Sequence, residues 1–462
     1  MENLDPLFNP RSVAVIGATE SPARVGYYPL KNLIDFGFTG EIYPVNPRLS
    51  RIFGLKAYPS LEAIPGEVDM AVIVVMADSV PSVLKDCARK GVKGVVIPST
   101  GFKELGMESG EKLQDEIVAI ANKAEINIIG PNTMGLLNSY ANLNATLEPS
   151  FKDVIKGDIA VICQSGGVCA FLLSSMINEN LGVSLAMGLG NRGNLDFADI
   201  IEYLGQHQQT RAIALYIEGL DDPHRFIEAA RKVTAGKPIV AYKVAGEHLG
   251  QATYSHTASL AGRYEVYHSA FSRAGVILVD DLTGLMDVAK AMAFQSPPRG
   301  NRVAILSGQA GPGIVAADAC HRHGLALAEF SARGKERLGD LVGTPSFSEN
   351  PFDMGAAPIK DTIHIFHEAF EVMLSEEGVD AIVVSCVYHP LNVPIIDSFI
   401  NLLEPKAITK PVIAFGSSPD GINDGQIARL EKNRVPVYPL PDRAVKALVG
   451  LVKYGMARQL NQ

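Results

Sequence analysis

Short apolar runs alternate with helix-compatible segments along the N-terminal part of the chain, and this alternation restricts the fold to a small set. The first run, residues 12–17, stops at a glycine and predicts a buried strand followed by a turn. Strands separated by helices predict parallel βαβ units in a doubly wound sheet, where ligands bind beyond the carboxyl ends of the strands. The other runs are residues 42–45, 70–75, 92–98 and 126–129, with helix-compatible segments that include 80–90 and 110–124.

The turn after the first strand does not fit a nicotinamide dinucleotide. Residues 17–26 lack the G-x-G-x-x-G spacing, and the second strand ends in Asn46-Pro47-Arg48 instead of the acid that holds a ribose hydroxyl. Arg24 and Arg48 suit a phosphorylated ribose and a pyrophosphate, because guanidinium groups pair with phosphate oxygens in a forked geometry. The alternative is two solvated surface arginines. The sequence therefore disfavours an NAD-dependent oxidoreductase.

The composition is that of a globular protein with several domains. The chain has 462 residues, 47% hydrophobic and 20% charged, which is enough for two to four domains. A net charge of −9 without a dense Lys/Arg block argues against nucleic-acid binding. The five cysteines form no C-x-x-C pair, no secretory signal is visible, and no apolar run approaches the length of a membrane span. We therefore expect a cytoplasmic α/β protein.

Two later parts of the chain look like copies of one another. Both have the βαβ rhythm of an open flavodoxin-like sheet, and breaks rich in Pro and Gly separate them from their neighbours. The predicted domains are residues 1–147, 158–295 and 301–462. The matching segments are 159–168 with 303–313, 212–218 with 381–387, and 237–243 with 410–416.

The copies differ at an acid and a histidine. Glu218 ends a strand where the second copy has Val387, and His256 lies in a loop of small residues, 254–262, that the second copy lacks. A carboxylate can accept a hydrogen bond from one imidazole nitrogen and leave the other free as a nucleophile. The alternatives are a surface histidine near a helix start and an acid in an exposed loop. The joint addition of both residues to one copy favours the pairing.

A glycine-rich turn follows the first strand of the same copy. Ser165, Gly166 and Gly167 lie between this strand and a long apolar helix, where unsatisfied backbone N–H groups and the helix dipole can bind phosphate. The alternative is an ordinary tight strand–helix turn. Residues 188–193 and 308–313 are glycine-rich as well, and the former loop would suit a small acyl group or a phosphate.

Six short motifs spread over almost the whole length carry a family resemblance. They are Ser255-His-Thr-Ala-Ser-Leu-Ala-Gly262, Tyr43-Pro-Val-Asn-Pro47, Ile129-Gly-Pro-Asn132 with Gly135, Gln164-Ser-Gly-Gly167, Tyr216-Ile-Glu-Gly219 and Asn350-Pro-Phe-Asp353. Together they resemble the α subunit of NDP-forming acyl-CoA synthetases, specifically the ADP-forming acetate–CoA ligase type. They are more distantly similar to the α subunit of succinyl-CoA synthetase. The chain departs from the family at Ala258, where relatives often have glycine, and at the turn 307–309, which lacks the expected asparagine.

The resemblance implies a Rossmann-like CoA-binding domain followed by two flavodoxin-like domains. It implies that His256 is transiently phosphorylated, that Glu218 orients it, and that phosphate lies at Ser165, Gly166 and Gly167. No metal ligand is implied in this chain. The residues that the resemblance assigns to CoA binding are Thr19, Arg24, Gly26, Asn46, Pro47, Arg48, Val75, Met76, Ser99, Gly101 and Asn132.

The resemblance also implies a partner, because nothing after residue 302 offers the lysines and carboxylates of an ATP-grasp domain. A separate ATP-grasp β subunit would bind ADP or ATP and Mg²⁺, in an α₂β₂ assembly. The implied reaction converts acyl-CoA, ADP and phosphate into a carboxylic acid, CoA and ATP. The alternatives are a non-catalytic CoA-binding regulatory protein of the same fold and a protein acyltransferase, for whose extra domain the chain shows no segment.

Overall fold

The computed structural model describes residues 3–244, 264–343, 348–354, 361–386, 393–403, 409–416 and 424–460. They form two compact units that divide after Leu282. In the described residues, the first unit contains two large sheets, one after the other in the sequence, and a two-stranded hairpin, and the second unit contains one sheet.

The first sheet is parallel and has five strands in the order β2-β1-β5-β6-β7. The direction of winding changes between β1 and β5, so the carboxyl ends of these two strands flank the crevice where doubly wound sheets bind ligands. The strands are β1 Ser12–Ile16, β2 Glu41–Val45, β5 Met70–Ile73, β6 Gly94–Val96 and β7 Asn127–Ile129, and a hairpin of β3 Arg51–Ile52 and β4 Leu55–Lys56 follows β2. The helices are Asp5–Phe8, Tyr27–Asp35, Val80–Lys90 and Glu108–Ala124, with 3-10 turns at Ala77–Ser79 and Lys103–Leu105.

The second sheet has seven strands in the order β14-β13-β12-β10-β11-β8-β9. Its five parallel strands are β10 Lys156–Cys163, β11 Val183–Gly188, β12 Ala212–Ile217, β13 Ile239–Lys243 and β14 Ile277–Leu278. The antiparallel hairpin of β8 Gly135–Asn138 and β9 Leu143–Thr146 extends this sheet, because β8 pairs with β11. The helices are Gly166–Asn178, Phe197–Gln206, Pro223–Thr234 and Tyr264–Arg273, with a 3-10 turn at Pro149–Asp153.

The third sheet repeats the parallel topology of the second. Its order β16-β15-β18-β19-β20 matches β11-β10-β12-β13-β14 strand for strand, and the short β17 pairs with β15. The strands are β15 Arg302–Ser307, β16 Ala326–Leu327, β17 Phe352–Asp353, β18 Ala381–Ser385, β19 Val412–Phe415 and β20 Val437–Tyr438. The helices are Leu282–Phe294, Ala310–Arg322, Ala332–Val342, Thr362–Ser375, Val393–Leu403, Asp424–Lys432 and Pro441–Leu460.

The lysine of each repeated Lys-Pro pair anchors the end of a helix. Lys237 donates hydrogen bonds to the carbonyl oxygens of Leu204 and His207, at the end of helix Phe197–Gln206. Lys410 donates to those of Met373 and Glu376, at the end of helix Thr362–Ser375. The last carbonyls of a helix have no partner within the helix, so a lysine there satisfies them. The sequence repeat therefore corresponds to a repeated structural contact.

The predicted α/β fold class, with parallel-sheet domains, is confirmed. Strand β1 is buried along its whole length, as its apolar sequence predicts. All five cysteines are free and buried, and burial raises the pKa of the Cys87, Cys320 and Cys386 thiols to about 12. Within the described part of the chain, no helix is long and apolar enough to cross a membrane.

Candidate functional site

The carboxyl edge of the first sheet brings together the residues predicted to bind CoA. Thr19 and Gly26 follow β1, Asn46 follows β2, Ser99 follows β6 and Asn132 follows β7. Because these strands are parallel, their carboxyl ends lie along the same edge of the sheet. We call this row of loops the CoA-side edge.

Glycines at this edge allow close approach of the backbone. Gly17 has a φ of +94°, and a Cβ atom there would lie 2.3 Å from the carbonyl oxygen of Val74. A Cβ atom on Gly26 would lie 2.1 Å from the carbonyl oxygen of Gly17. Gly26 is therefore required for the turn to close, whether or not a ligand is bound. Gly101 has a φ of +117°, and a Cβ atom there would lie 2.9 Å from the Ala77 Cβ.

Polar side chains stabilise the loops of the CoA-side edge. Asn46 donates from Nδ2 to the carbonyl oxygen of Ala18 at 2.8 Å, and its Oδ1 accepts from the backbone N–H of Arg48 at 2.8 Å. Ser99 donates from Oγ to the carbonyl oxygen of Val75 at 2.6 Å. The backbone N–H of Asn132 donates to the carbonyl oxygen of Ser99 at 3.0 Å. These contacts join the ends of neighbouring strands.

Four other predicted residues of this edge face solvent. Arg24, Pro47, Arg48 and Met76 are exposed, and the side chain of Met76 is among the most exposed apolar groups of the described chain, at 80%. Two cations with an apolar side chain fit a ligand that has phosphates and an apolar surface. The residues present at this edge therefore fit CoA.

The glycine-rich turn of the second sheet begins a helix, as the sequence predicts. Ser165 is the N-cap of helix Gly166–Asn178, and its Oγ accepts from the backbone N–H of Val168 at 3.4 Å. A Cβ atom on Gly167 would find only the Ser165 Oγ, 3.9 Å away, so the space above this residue is open. Gly166 is closer to its surroundings, since a Cβ atom there would lie 3.2 Å from the Met134 Cβ. The turn thus presents free helical N–H groups beside open space.

Glu218 lies directly after β12 and is 5% exposed, so it is not an acid in an exposed loop. The Oε1 of Gln164 accepts hydrogen bonds from the backbone N–H groups of Glu218, at 2.9 Å, and Gly219, at 3.0 Å. Gln164 precedes Ser165, so its amide ties the acid to the glycine-rich turn. Burial, followed by the charge and hydrogen bond of Glu218, raises the pKa of the Tyr216 hydroxyl. The structure therefore brings Glu218 and the turn 165–167 together.

Lys243 is a charged neighbour of Glu218 that the sequence interpretation missed. It ends β13 opposite Ile217, its side chain is buried, and its Nζ donates to the carbonyl oxygen of Val244 at 2.7 Å. The Nζ also lies 4.7 Å from the centre of the Tyr267 ring. Burial lowers the pKa of Lys243, and the charge of Glu218 opposes this shift.

The repeat itself contains the signal that identifies these additional residues. In the three segment pairs that hold them, Gln164, Tyr216 and Lys243 stand where the second copy has Gly308, Ser385 and Gly416. Gln164 accepts a hydrogen bond from the backbone of Glu218, and Tyr216 and Lys243 interact electrostatically with its carboxylate. In the second copy, Ser307 donates from Oγ to the carbonyl oxygen of Gln309 at 2.5 Å, so that turn is held by its own side chain.

His256 lies outside the described residues, as does the rest of the loop 254–262. Its predicted pairing with Glu218 stays a prediction. Helix Tyr264–Arg273 follows this loop, and its Tyr267 packs against Lys243.

Comparison with known proteins agrees with this geometry. Residues 11–139 match the family described as a CoA binding domain, and residues 156–292 match the succinyl-CoA ligase like flavodoxin domain. The α subunit of an ADP-forming acetate–CoA ligase II from Pyrococcus furiosus is 39% identical over 97% of both chains. An ADP-forming acetate–CoA ligase from Methanocaldococcus jannaschii is 35% identical over 97% of this chain but only 63% of its own.

A solved structure is similar over nearly the whole chain. It is a dinucleotide-forming acetyl-coenzyme A synthetase 1 from Candidatus Korarchaeum cryptofilum, in complex with phosphate and ADP. Its sequence is 32% identical, the match covers 99% of this chain and 98% of that one, and the TM-score is 0.88. The fold and these relatives define an acid–thiol ligase built on CoA-binding and flavodoxin-like domains. The chain belongs to the family of ADP-forming acetate–CoA ligases and corresponds to their α subunit.

Proposed function

We propose that this chain interconverts acyl-CoA, ADP and phosphate with a carboxylic acid, CoA and ATP through an acyl phosphate and a phosphohistidine at His256. The observation that carries the proposal is the contact of Gln164 with the Glu218 loop, since it places a buried acid beside the N-terminus of helix Gly166–Asn178. An acid and an anion-binding helix end are the two groups that a phosphorylated imidazole requires.

The proposed steps use the residues of these two loops. A phosphate oxygen, held at Ser165, Gly166 and Gly167, attacks the thioester carbonyl, and CoA leaves as its thiol, which gives an acyl phosphate. His256 then attacks the phosphorus, the P–O bond to the acyl group breaks, and the carboxylate leaves. Glu218 accepts the hydrogen bond of the other imidazole nitrogen and stabilises the cation that forms. Transfer of the phosphoryl group to ADP makes ATP.

The CoA-side edge would hold CoA, with Arg24 and Arg48 on its phosphates and Asn132 near the end that carries the thioester. A β subunit of the ATP-grasp type would supply the nucleotide site and Mg²⁺, in an α₂β₂ assembly. The M. jannaschii relative supports a partner of this kind, because its chain extends well beyond the region shared here. We also propose three functional domains, 1–147, 158–295 and 301–462, in which the hairpin of β8 and β9 at the end of the first adds two strands to the sheet of the second. We further propose a cytoplasmic location, which suits five free buried thiols.

The test is to incubate the protein with acetyl-CoA and ³²P-labelled phosphate and to measure acid-labile label on the chain. We expect label on the unsubstituted protein and on Ser255→Ala, and none on His256→Ala. Absence of label, or label that persists in His256→Ala, would contradict the proposal. In that case, CoA binding measured by calorimetry without turnover would favour the alternative, a regulatory CoA-binding protein of the same fold.

A further inference from the structure

Residues 188–193, which we call the bridging loop, lie between the CoA-side edge and the loop of Glu218. On one side, the backbone N–H of Asn191 donates to the carbonyl oxygen of Pro131 at 2.9 Å, and the backbone N–H of Gly193 donates to the carbonyl oxygen of Gly130 at 2.8 Å; both acceptors follow β7. On the other side, the N–H of Gly190 donates to the carbonyl oxygen of Gln164 at 3.2 Å. One short loop therefore contacts both parts of the proposed site.

Asn191 makes the side-chain contacts toward the CoA-side edge. Its Nδ2 donates to Glu104 Oε2 at 2.5 Å and to Gln114 Oε1 at 3.0 Å, and its Oδ1 accepts from Asn132 Nδ2 at 3.3 Å. The other carboxylate oxygen of Glu104 accepts from the backbone N–H of Gly101 at 2.6 Å. Asn191 thereby fixes the acid that shapes the loop after β6.

Arg192 makes the side-chain contacts toward the acid. Its side chain is 3% exposed; Nη1 donates to the carbonyl oxygen of Gly219 at 2.8 Å, and Nη2 donates to Asp221 Oδ1 at 2.8 Å. Nη1 also lies 3.4 Å from Asp196 Oδ1. A buried guanidinium that bonds the residue after Glu218 holds that loop in place, because breaking these bonds would leave a desolvated charge.

The bridging loop has little freedom to absorb movement. Gly190 and Arg192 have φ angles of +60° and +57°. A Cβ atom on Gly190 would lie 2.3 Å from the carbonyl oxygen of Pro131. A non-glycine residue in the left-handed region persists only where its surroundings fix it. The surroundings therefore fix the backbone conformation of Gly190 and Arg192, on either side of Asn191.

We propose that Asn191 and Arg192 are positioning residues that couple CoA binding at the first sheet to the placement of Glu218 in the second. This inference rests on the proposed function of Glu218. It adds a linkage between the two halves of the reaction: the state of the CoA-side edge and the state of the acid loop each change the other.

The experiment uses the full chain in complex with its nucleotide-binding partner and has two readouts. One is the Kd of CoA from calorimetry, and the other is the initial rate of acid-labile labelling by γ-³²P-ATP without CoA. Arg192→Lys changes the contacts to the loop of Glu218 but keeps the positive charge. Asn191→Ala changes the CoA side, and Glu104→Gln is a second variant there that keeps the size of the side chain.

Asn194→Ala is the matched control. Asn194 lies just beyond the bridging loop and also links the first and second sheets. Its Nδ2 donates to Asn122 Oδ1 and to the carbonyl oxygen of Ile126, and its Oδ1 accepts from the backbone N–H of Ile128, all at 2.8 Å. These contacts reach neither Glu104 nor the Glu218 loop. This variant therefore loosens the same junction without touching the proposed connection.

We expect cross effects of about fivefold or more, the lower end of measured couplings between sites. Arg192→Lys should raise the Kd of CoA, and Asn191→Ala and Glu104→Gln should slow labelling, whereas Asn194→Ala should change neither by more than about twofold. The coupling would be overturned if Arg192→Lys changed only the labelling rate and if Asn191→Ala and Glu104→Gln changed only the Kd of CoA. It would also be overturned if Asn194→Ala had effects as large as theirs. If the unsubstituted complex takes no label, the proposed function fails, and the CoA Kd of Arg192→Lys against Asn194→Ala still decides the coupling.

Discussion

The side-chain oxygen of Gln164 lies 2.9 Å from the backbone nitrogen of Glu218 and accepts its hydrogen bond. A second bond, from Gly219, reaches the same oxygen. The side-chain amide of Gln164, next to Ser165 in the sequence, thus connects the glycine-rich turn with Glu218, which lies far from it along the chain. The position of the acid depends on an uncharged residue that no charge pattern would identify.

Replacing this amide should therefore weaken both the fold and the reaction. Gln164→Met has similar volume but no acceptor, so two buried N–H groups lose their partner, which costs about 1–3 kcal/mol each. We expect a lower free energy of unfolding, measured with denaturant, and slower acid-labile labelling. Ser184→Ala is the control, because it removes a buried bond to Thr210 at the opposite end of the same sheet. Ser184→Ala should lower the free energy of unfolding but leave the labelling rate unchanged. Equal slowing of labelling in both variants would contradict the role of Gln164.

Lys243 should set the basic limit of activity. Burial lowers its pKa below the ordinary value of 10.5, so its charge beside Glu218 is present at low pH and is lost earlier as pH rises. Lys243→Arg keeps the charge and should move the basic limb of the labelling rate to higher pH, while Lys243→Met should lower the rate throughout. Lys232→Arg, at an exposed pair with Glu202, should leave the profile unchanged. An unshifted limb in Lys243→Arg would count against the prediction.

Gly26→Ala tests the close approach at the first turn. The new Cβ atom would meet the carbonyl oxygen of Gly17 at 2.1 Å, and forcing extra atoms into such contacts costs about 1–3 kcal/mol. We expect a lower midpoint of thermal unfolding and weaker CoA binding in calorimetry. Gly236→Ala provides the comparison, since nothing lies within 4 Å of its added atom. Retention of full CoA affinity by Gly26→Ala would show that the turn can relax.

Lys237 gives a stability prediction with a defined pH window. Burial lowers its pKa from 10.5 to about 8, so between these values the unfolded chain binds more protons than the folded one. The contribution of this lysine to the free energy of unfolding therefore rises with pH across that window. A neutral amine still has two N–H groups for the carbonyls of Leu204 and His207. Lys237→Met should lose the rise, as measured by denaturant unfolding at pH 7.5 and about 10, and an unchanged slope would refute the assignment.

The sequence predicted those parts of the fold that have local signals. Strand β1 follows from an apolar run, and helix Val80–Lys90 coincides with a helix-compatible segment. Strands β8 and β9 were not predicted, because each has only four residues and the partner of β8 is β11, which comes much later in the chain. Pairing between strands so far apart in the sequence produces no local periodic pattern from which it could be predicted.

The same distinction holds for the candidate site. Glu218 was found because the second copy has Val387 in its place, and the strand-end positions at the CoA-side edge follow from parallel topology. Arg192 could not be found in this way. The role proposed for it rests on burial and on its bonds to Gly219 and Asp221, which depend on how two loops approach in space.

The hairpin of β8 and β9 has a practical consequence for dissecting the molecule. A recombinant fragment that begins at residue 158 would lack both strands and would expose the N–H and C=O groups of β11 to water and to other chains. A fragment that begins near Thr133 would keep them. We expect the shorter piece to aggregate and the longer one to remain dispersed in light scattering, so truncations of this protein must be cut ahead of the hairpin.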